Sequence, residues 1–586
     1  MKIENIPNIN YLWAELIIEE LLRNGVSEFC IAPGSRSTPL TLAAAGSNKA
    51  KKTIHYDERG LAFYALGMAS AGAGPVAVIS TSGTAAANFF PALIEASKKK
   101  LPIIFLTADR PPELRQTGAL QTIDQPGLYG KYVRWDFDLP VPDPDIEPEV
   151  VLTTIDQAVF RSKYPMAGPV HINCMFREPL APGPGKNTNF SNYKIRNNWE
   201  KSQKPYTEYF SDSETEGVNN REEIIKVIEG IKKGIIITGK LKGPGEKDKA
   251  VELSKKLNWP LFPDIVSGLR NRDESGNIIH YYDLLLLSGK ELNEQIDGII
   301  HLGGRITSKR WYNFIKGLSP DKYITVLDHP LRNDPLHIVS HRIKSSVSGF
   351  LNTILPSLRQ RGTNPLTEKL KKISSGTGEI IDKFLENKEI NEIFIARKVS
   401  NLIPDDSGLF LSNSMPVRDM DMYSSINNRD VKIGGNRGAS GIDGIIASAS
   451  GFTESLGKPV TLIIGDIAFL HDLNSLDFVK KGGNKLIIIV INNNGGNIFS
   501  FLPVAEHKTH FEKYFITPHG MKFDKAASMF GIEHKKVSNK NDFSVQYKSA
   551  LAGKKSKIIE VEVEREQNVA AHRELEEKIR EYLGKN

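Results

Sequence analysis

Cysteine is almost absent: Cys30 and Cys174 are the only two in 586 residues. Two thiols cannot staple a chain of this length, so a disulfide framework is excluded and a reducing, cytoplasmic setting is expected. Long apolar runs are lacking too. None approaches the ~18 residues that a membrane-spanning helix needs, so no membrane partner is expected. Met1-Lys2-Ile3-Glu4-Asn5 lacks the charged and apolar regions of a secretory signal. There is no low-complexity block and no detectable internal repeat. Blocks of basic residues are missing as well: the formal charge of +7 is modest and scattered. That pattern argues against nucleic acid as a partner and leaves small anionic substrates.

What is present is a regular alternation of apolar strands and amphipathic helices. The chain is too long for one core and should divide into roughly three or four units. Leu12, Trp13, Leu16, Ile17, Leu21 and Leu22 recur on one side of a helix over 10–24, and Gly25 supplies its stop. Strands follow at 29–32, 53–56, 75–80 and 101–106, each running into a polar cluster and then a helix. The expected fold is therefore α/β, with doubly wound parallel sheets whose polar clusters share one face. The expected boundaries are 1–185 for a first α/β domain and 186–220 for a polar linker. A smaller Rossmann-like domain is expected over 221–356, a second linker over 357–380 and a last α/β domain over 381–586. The middle domain has strands at 234–238 and 298–304, and no dinucleotide fingerprint opens it.

Three clusters carry candidate chemistry. Pro459–Ile464 and Lys485–Ile491 read as buried parallel strands, with Leu473, Leu476 and Val479 near helical spacing between them. At their C-terminal tips stand Asp466 and Asn493. With a backbone carbonyl from Gly495 they form a half-shell of hard oxygens suited to Mg²⁺, although Asp and Asn at strand ends also serve as turn residues. Pro33-Gly34-Ser35-Arg36-Ser37 presents donors to an anion at another strand tip, or is simply a turn. Glu58 stands where a strand meets a notably apolar helix. It is either a first-turn glutamate favoured by the helix dipole or an acid kept from water with a specific partner.

The order "GD…NN" resembles the metal motif of thiamin-diphosphate enzymes, with Ile467 where that superfamily often has glycine. Longer stretches resemble one family, the 2-succinyl-5-enolpyruvyl-6-hydroxy-3-cyclohexene-1-carboxylate synthases of menaquinone biosynthesis. They are IAPGSRSTPLTLAA from Ile31, DERGLAFYALG from Asp57, TSGTAAANFFPALIEA from Thr81 and LTADRPPEL from Leu106. Later come SKRW from Ser308, NRGASGIDG from Asn436 and NNNGGNIFSFLP from Asn492.

The resemblance implies three domains of the pyruvate-oxidase type, thiamin diphosphate with Mg²⁺ or Mn²⁺, and a homodimer or homotetramer with paired interfacial sites. The implied reaction decarboxylates 2-oxoglutarate and adds the succinyl carbanion equivalent to isochorismate. Glu58 would hold the cofactor's pyrimidine, in an apolar surround that raises its pKa. Gly34, Thr84, Asn88, Ser414, Asp466, Ile467, Asn493, Ile498 and Phe499 would bind the rest of the cofactor. Both substrates are multiply anionic, which calls for guanidinium groups. Ser414 and Arg418 would face 2-oxoglutarate; Ser35, Arg36, Arg110, Lys309, Arg310 and Arg437 complete the polar set, with Arg36, Arg110, Lys309 and Arg310 toward isochorismate. Gln121 would orient an intermediate. Ile498, Phe499 and Leu502 would form apolar walls, a role compatible with plain core packing. Leu120 stands where some family members have asparagine. Two other readings remain: a thiamin-diphosphate lyase for small or neutral acceptors, which would not need so many arginines, and a non-catalytic anion-binding regulator, which would not need Glu58.

Overall fold

The computed structural model of the chain describes residues 6–182, 190, 193, 195, 199–210, 220–243, 245–272, 276–288, 296–318 and 320–585. The readings of Met1 to Asn5 and of much of 186–220 fall outside the described residues. Those described separate into two compact units, Met1–Ser211 with Gly435–Lys458 and Leu470–Lys485, and Asp212–Gly434 with Pro459–Phe469 and Leu486–Asn586.

The first unit holds a six-stranded sheet: β1 (Glu28–Ile31), β2 (Lys51–Ile54), β3 (Val76–Ser80), β4 (Ile103–Asp109), β5 (Asp136–Leu139) and β6 (Val170–Met175), in the order β2-β1-β3-β4-β6-β5. The second unit holds two sheets. One comprises β7 (Gly234–Thr238), β8 (Leu261–Pro263), β9 (Gly298–Leu302), β10 (Lys322–Leu327) and β11 (His341–Lys344), in the order β11-β10-β9-β7-β8. The other comprises β12 (Ser407–Leu411), β13 (Val431–Gly434), β14 (Val460–Gly465), β15 (Leu486–Asn492), β16 (Glu533–Val537) and β17 (Lys557–Glu562), in the order β13-β12-β14-β15-β17-β16. The named strands pair in parallel, as their continuous apolar runs require.

The two six-stranded sheets have the same topology. In each, the second strand lies outside the first and the third lies on its other side. The sequence shows no repeat because a buried strand asks only for aliphatic or β-branched residues, which many sequences satisfy. The chain reverses direction across the sheet between β1 and β3, and between β12 and β14. Ligands of open α/β sheets bind beside such points, at the C-terminal strand ends.

Local chemistry explains where elements start and stop. The helix Ile9–Arg23 is capped by Asn8, whose side chain accepts from Tyr11 N at 2.9 Å, and Gly25 beyond it has φ +82°. The helical spacing of Leu473, Leu476 and Val479 corresponds to a 3-10 turn, Leu473–Ser475, that runs into the α-helix Leu476–Lys481. Asp466–His471 and Leu476–Lys481 are helical, while buried Asp472 turns its carboxylate onto Ala447 N (3.0 Å) and Ser475 Oγ (2.8 Å). The 357–380 stretch, expected as a linker, is largely helix, from Pro365 to Glu386. Asn364 caps it, and Leu370, Ile373, Thr377, Ile381 and Phe384 make a buried stripe in an otherwise polar segment.

Buried Glu20 ties Trp199–Thr207 to the first helix. It accepts from Trp199 Nε1 at 2.6 Å and from Tyr206 N, while the neighbouring Asp156 accepts from Thr207 N at 2.7 Å. Burial, then hydrogen bonding with Asp156, pushes the Glu20 carboxyl up to about 8 from 4.5. The folded state thus holds a proton that the unfolded chain releases, so stability falls as pH rises through that window. Glu20→Gln should flatten the fall. Its unfolding free energy at about pH 8 should exceed wild type by on the order of 1 kcal/mol in urea titrations.

The helix Glu58–Ala71 is buried on nearly every side, from Gly60 to Ala69. It packs against Ile445–Leu456 backbone to backbone. A Cβ on Gly67 would stand 2.0 Å from Ser448 O, and one on Gly451 would stand 2.0 Å from Tyr64 O. Ser448 Oγ donates to Phe63 O at 3.1 Å across the same seam. Gly67→Val should therefore cost roughly 1–3 kcal/mol of stability, measured by chemical denaturation, because backbone atoms cannot step aside.

Candidate active site

Asp466 follows β14 directly and Asn493 follows β15, on adjacent strands. Asp466 Oδ2 accepts from Gly495 N (2.9 Å) and Asn493 N (3.2 Å), and Oδ1 accepts from Ile467 N (2.7 Å). His519 Nε2 lies 3.2 Å from the same Oδ2. Burial raises the pKa of Asp466 even against those donors. The site thus holds a costly acid that a bound cation would stabilise. Gly495 has φ +145°, and a Cβ there would fall 2.2 Å from Ile516 O, so only glycine fits this turn.

Asn493 Nδ2 donates to Glu392 Oε1 at 3.0 Å, whereas Asn493 Oδ1 is buried without a hydrogen-bond partner among the described residues. An orphaned amide oxygen, on a residue whose N–H meets a buried carboxylate, is what an oxygen-seeking divalent cation would occupy. No group of three or more His, Cys, Asp and Glu side chains able to hold a metal occurs among the described residues. The donor set fits Mg²⁺ or Mn²⁺ better than a softer metal.

At the tips of β1, β3 and β4 the first unit gathers cations. Arg36 is 8% exposed; its Nη1 donates to Phe176 O at 2.9 Å and its Nη2 lies 3.3 Å from Glu178, an exposed carboxylate. Arg110 Nη1 donates to Ser82 Oγ and, at 3.0 Å, to Gln121 O. Burial, then the charge of Arg36, lowers the pKa of Arg110, so the two guanidinium groups share a neighbourhood. Gly34 packs directly on Thr81, where a Cβ would stand 2.2 Å from Thr81 Cβ. Ser35 is exposed, and so are Thr84 and Asn88 on the far side of Gly83. Leu120, beside Gln121, is 86% exposed.

Glu58 is the first residue of its helix and is half-buried. The expected shelter from water belongs to the rest of the helix: this first turn sits at a strand tip that the chain does not cover fully. Asp57 does the capping, with Oδ1 accepting from Arg59 N (3.0 Å) and Gly60 N (3.2 Å). Glu58 has no hydrogen-bond or ion-pair partner among the described residues.

Ser414, with φ +70°, precedes the helix Met415–Tyr423 at the tip of β12. Arg418 Nη1 donates to Ser414 O, and burial lowers the Arg418 pKa. Arg437 is half-buried in a loop held by buried Glu95, which accepts from Gly438 N at 2.7 Å and from Ala439 N. Lys309 is exposed. Arg310 is clamped between Asp283 and Glu576, which outweigh burial and raise its pKa. Ile467, Ile498 and Phe499 are half-buried and Leu502 is exposed.

Several residues escaped sequence reasoning. Gln125, fully buried, accepts from Gly83 N at 2.8 Å and donates to Asn173 Oδ1 at 2.9 Å, fixing the Thr81–Thr84 loop. Glu392 reads in sequence as a first-turn glutamate after the cap Asn391, and His519 as a loop residue. No local signal announces their burial.

Parallel α/β sheets of this order, with a carboxylate–amide cradle at adjacent strand tips, define a thiamin-diphosphate-dependent enzyme. Three family descriptions match the chain. "Thiamine pyrophosphate enzyme, N-terminal TPP binding domain" covers residues 13–128, "Middle domain of thiamine pyrophosphate" covers 192–411, and "Thiamine pyrophosphate enzyme, C-terminal TPP binding domain" covers 435–561. A benzoylformate decarboxylase from Polynucleobacter necessarius has a similar fold, with TM-score 0.68 over 94% of this chain and 98% of that one at 16% identity. The 2-succinyl-5-enolpyruvyl-6-hydroxy-3-cyclohexene-1-carboxylate synthase of Rubrobacter xylanophilus is 43% identical over 98% of this chain and 99% of its own. That of Prosthecochloris aestuarii is 41% identical over 98% of both. The chain belongs to the 2-succinyl-5-enolpyruvyl-6-hydroxy-3-cyclohexene-1-carboxylate synthase family.

Proposed function

We propose that this chain decarboxylates 2-oxoglutarate and adds the succinyl unit to isochorismate, giving 2-succinyl-5-enolpyruvyl-6-hydroxy-3-cyclohexene-1-carboxylate and CO₂ in menaquinone biosynthesis. The observation that carries this reading is the likeness to synthases of that name along 98% of the chain. When bound, thiamin diphosphate supplies the carbanion chemistry that a 2-oxoacid decarboxylation needs. Asp466 and Asn493, with the carbonyl of Gly495, would hold Mg²⁺ or Mn²⁺ against its diphosphate. Glu58, free of capping duty, would offer its carboxyl to the pyrimidine.

Arg418 and Ser414, already joined, would receive the carboxylates of 2-oxoglutarate. Arg36 and Arg110 would receive those of isochorismate, since two neighbouring guanidinium groups with one exposed acid nearby favour a polyanion. Arg310 enters this set with its charge offset by Asp283 and Glu576, so its contribution would be steric alignment together with Lys309. Gln121 would orient an intermediate near the cofactor, and Arg437 would add a further cation for the anionic substrates. The half-buried, uncommitted Glu58 supports a homodimer or homotetramer in which a second copy covers it. The near absence of cysteine supports the cytoplasm, and no helix among the described residues is long and apolar enough to cross a membrane.

The test is turnover with thiamin diphosphate, Mg²⁺, 2-oxoglutarate and isochorismate, followed by mass spectrometry of the adduct, against pyruvate alone. Adduct formation only with the first pair is the expected result. Efficient decarboxylation of pyruvate without it would point to a lyase for small acceptors.

A further inference from the structure

Behind the cation cradle lies a charged cluster that no part of the proposed reaction uses. Glu392 opens the helix Glu392–Leu402 but does not cap it, because Asn391 accepts from Phe394 N. Glu392 is buried, and its Oε1 accepts from Asn493 Nδ2 at 3.0 Å and from Asn497 Nδ2 at 3.3 Å. Its own N–H donates to Asn568 Oδ1 at 3.0 Å. Asn568 O in turn accepts from His572 Nδ1 at 2.8 Å, and His572 Nε2 lies 3.1 Å from Asp419 Oδ1. Glu392 is therefore gripped at its backbone while its carboxyl oxygen Oε1 accepts from two side-chain amides.

An asparagine amide has two ends of similar shape and opposite polarity. With Nδ2 engaged by Glu392, Oδ1 is the end left without a partner, on the residue whose N–H donates to Asp466 Oδ2. A half-turn of the amide would instead aim two N–H groups at the cation, which repels them. We propose that Glu392 is a positioning residue that fixes the Asn493 amide in its cation-binding orientation. It acts on the metal only through Asn493, as partners behind a ligand commonly do. Asn497 Oδ1 is orphaned in the same way as Asn493 Oδ1, so the carboxylate orders both amides at once.

This inference rests on the reading of Asp466 and Asn493 as Mg²⁺ ligands, and the experiment separates the two. Mg²⁺ is titrated calorimetrically into the full chain with thiamin diphosphate present, for wild type, Glu392→Leu and Glu392→Gln. Leucine removes the acceptor, and Mg²⁺ affinity should fall roughly 10- to 100-fold. Glutamine keeps an acceptor oxygen and should restore affinity to within about threefold of wild type, with the turnover of both variants recovering at saturating Mg²⁺. A purely structural role would lower the folded fraction without this pattern, and circular dichroism reads that fraction. A folded Glu392→Leu protein with wild-type affinity, or a Glu392→Gln protein as impaired as Glu392→Leu, overturns the proposal. Wild type that takes up no Mg²⁺ overturns the cradle itself and this inference with it. Crystals of the Mg²⁺-loaded wild type give an answer independent of any variant's folding: Asn493 Nδ2 should face Glu392, and the reverse orientation would refute the assignment.

Discussion

Glu58→Gln is expected to lower turnover by about 10²- to 10⁴-fold, the range that a positioned acid or base contributes, while leaving thiamin diphosphate and Mg²⁺ binding within a few-fold of wild type. The substitution changes one oxygen for a nitrogen and nothing else in size. The helix start should be unaffected, because Asp57 rather than Glu58 supplies the cap. Local geometry is independently secured from below: Asp57 N donates to His55 Nδ1 at 3.1 Å, and His55 stacks on Phe478 with ring centroids 4.1 Å apart. Burial lowers the His55 pKa, so its ring stays neutral and able to accept that bond. A loss of turnover with intact binding, read by steady-state kinetics beside calorimetry, would mean that Glu58 acts on bound cofactor. Wild-type turnover in the glutamine variant would refute a role for this carboxyl in the reaction.

Asp466→Asn should have the opposite signature, losing binding while keeping the fold. The single amide oxygen can still accept from Gly495 N and Asn493 N, but the amide nitrogen loses the bond from Ile467 N and the negative charge that attracts Mg²⁺ is gone. Affinity for Mg²⁺ should drop roughly 10³-fold or more, an interaction of about 4 kcal/mol. The apoprotein should stay within about 1 kcal/mol of wild type, since the lost Ile467 N bond is offset by removing a buried acid whose pKa burial has raised, a liability whenever it is ionised. Raising pH through that titration should destabilise the wild-type apoprotein more than the variant, which thermal melts at several pH values would show. A marked loss of apo stability in the variant would mean that Asp466 is there for the fold and not for a metal.

The two predictions draw on different kinds of legibility. Asp466 and Asn493 could be found in the chain because a strand ending in Gly-Asp and the next ending in Asn-Asn-Asn place both side chains at neighbouring tips once the sheet is parallel. The placement of Ser35 and Arg36 in the loop after β1 could be found for the same reason. The half-exposed state of Glu58 could not, because the apolar residues that follow it describe the helix body and not the space over its first turn. Arg310 reads as a free cation in Ser308-Lys309-Arg310-Trp311, yet Asp283 and Glu576, far away in sequence, claim it. The helix in 357–380 was hidden by its polar majority; its buried stripe uses one residue in three or four, with Thr377 among them.

By itself the sequence determined the alternation of strands and helices, the parallel character of the sheets and the oxygen-bearing side chains at two strand tips. Periodicity and strand-end chemistry are local, and a chain carries them openly. Only the tertiary structure decided that the first and last sheets share one strand order, that Asn493 leaves its oxygen and not its nitrogen free, and that Glu392 stands behind it. Those facts depend on which distant residues meet in a space without water, where every polar atom must find a partner or remain conspicuously without one.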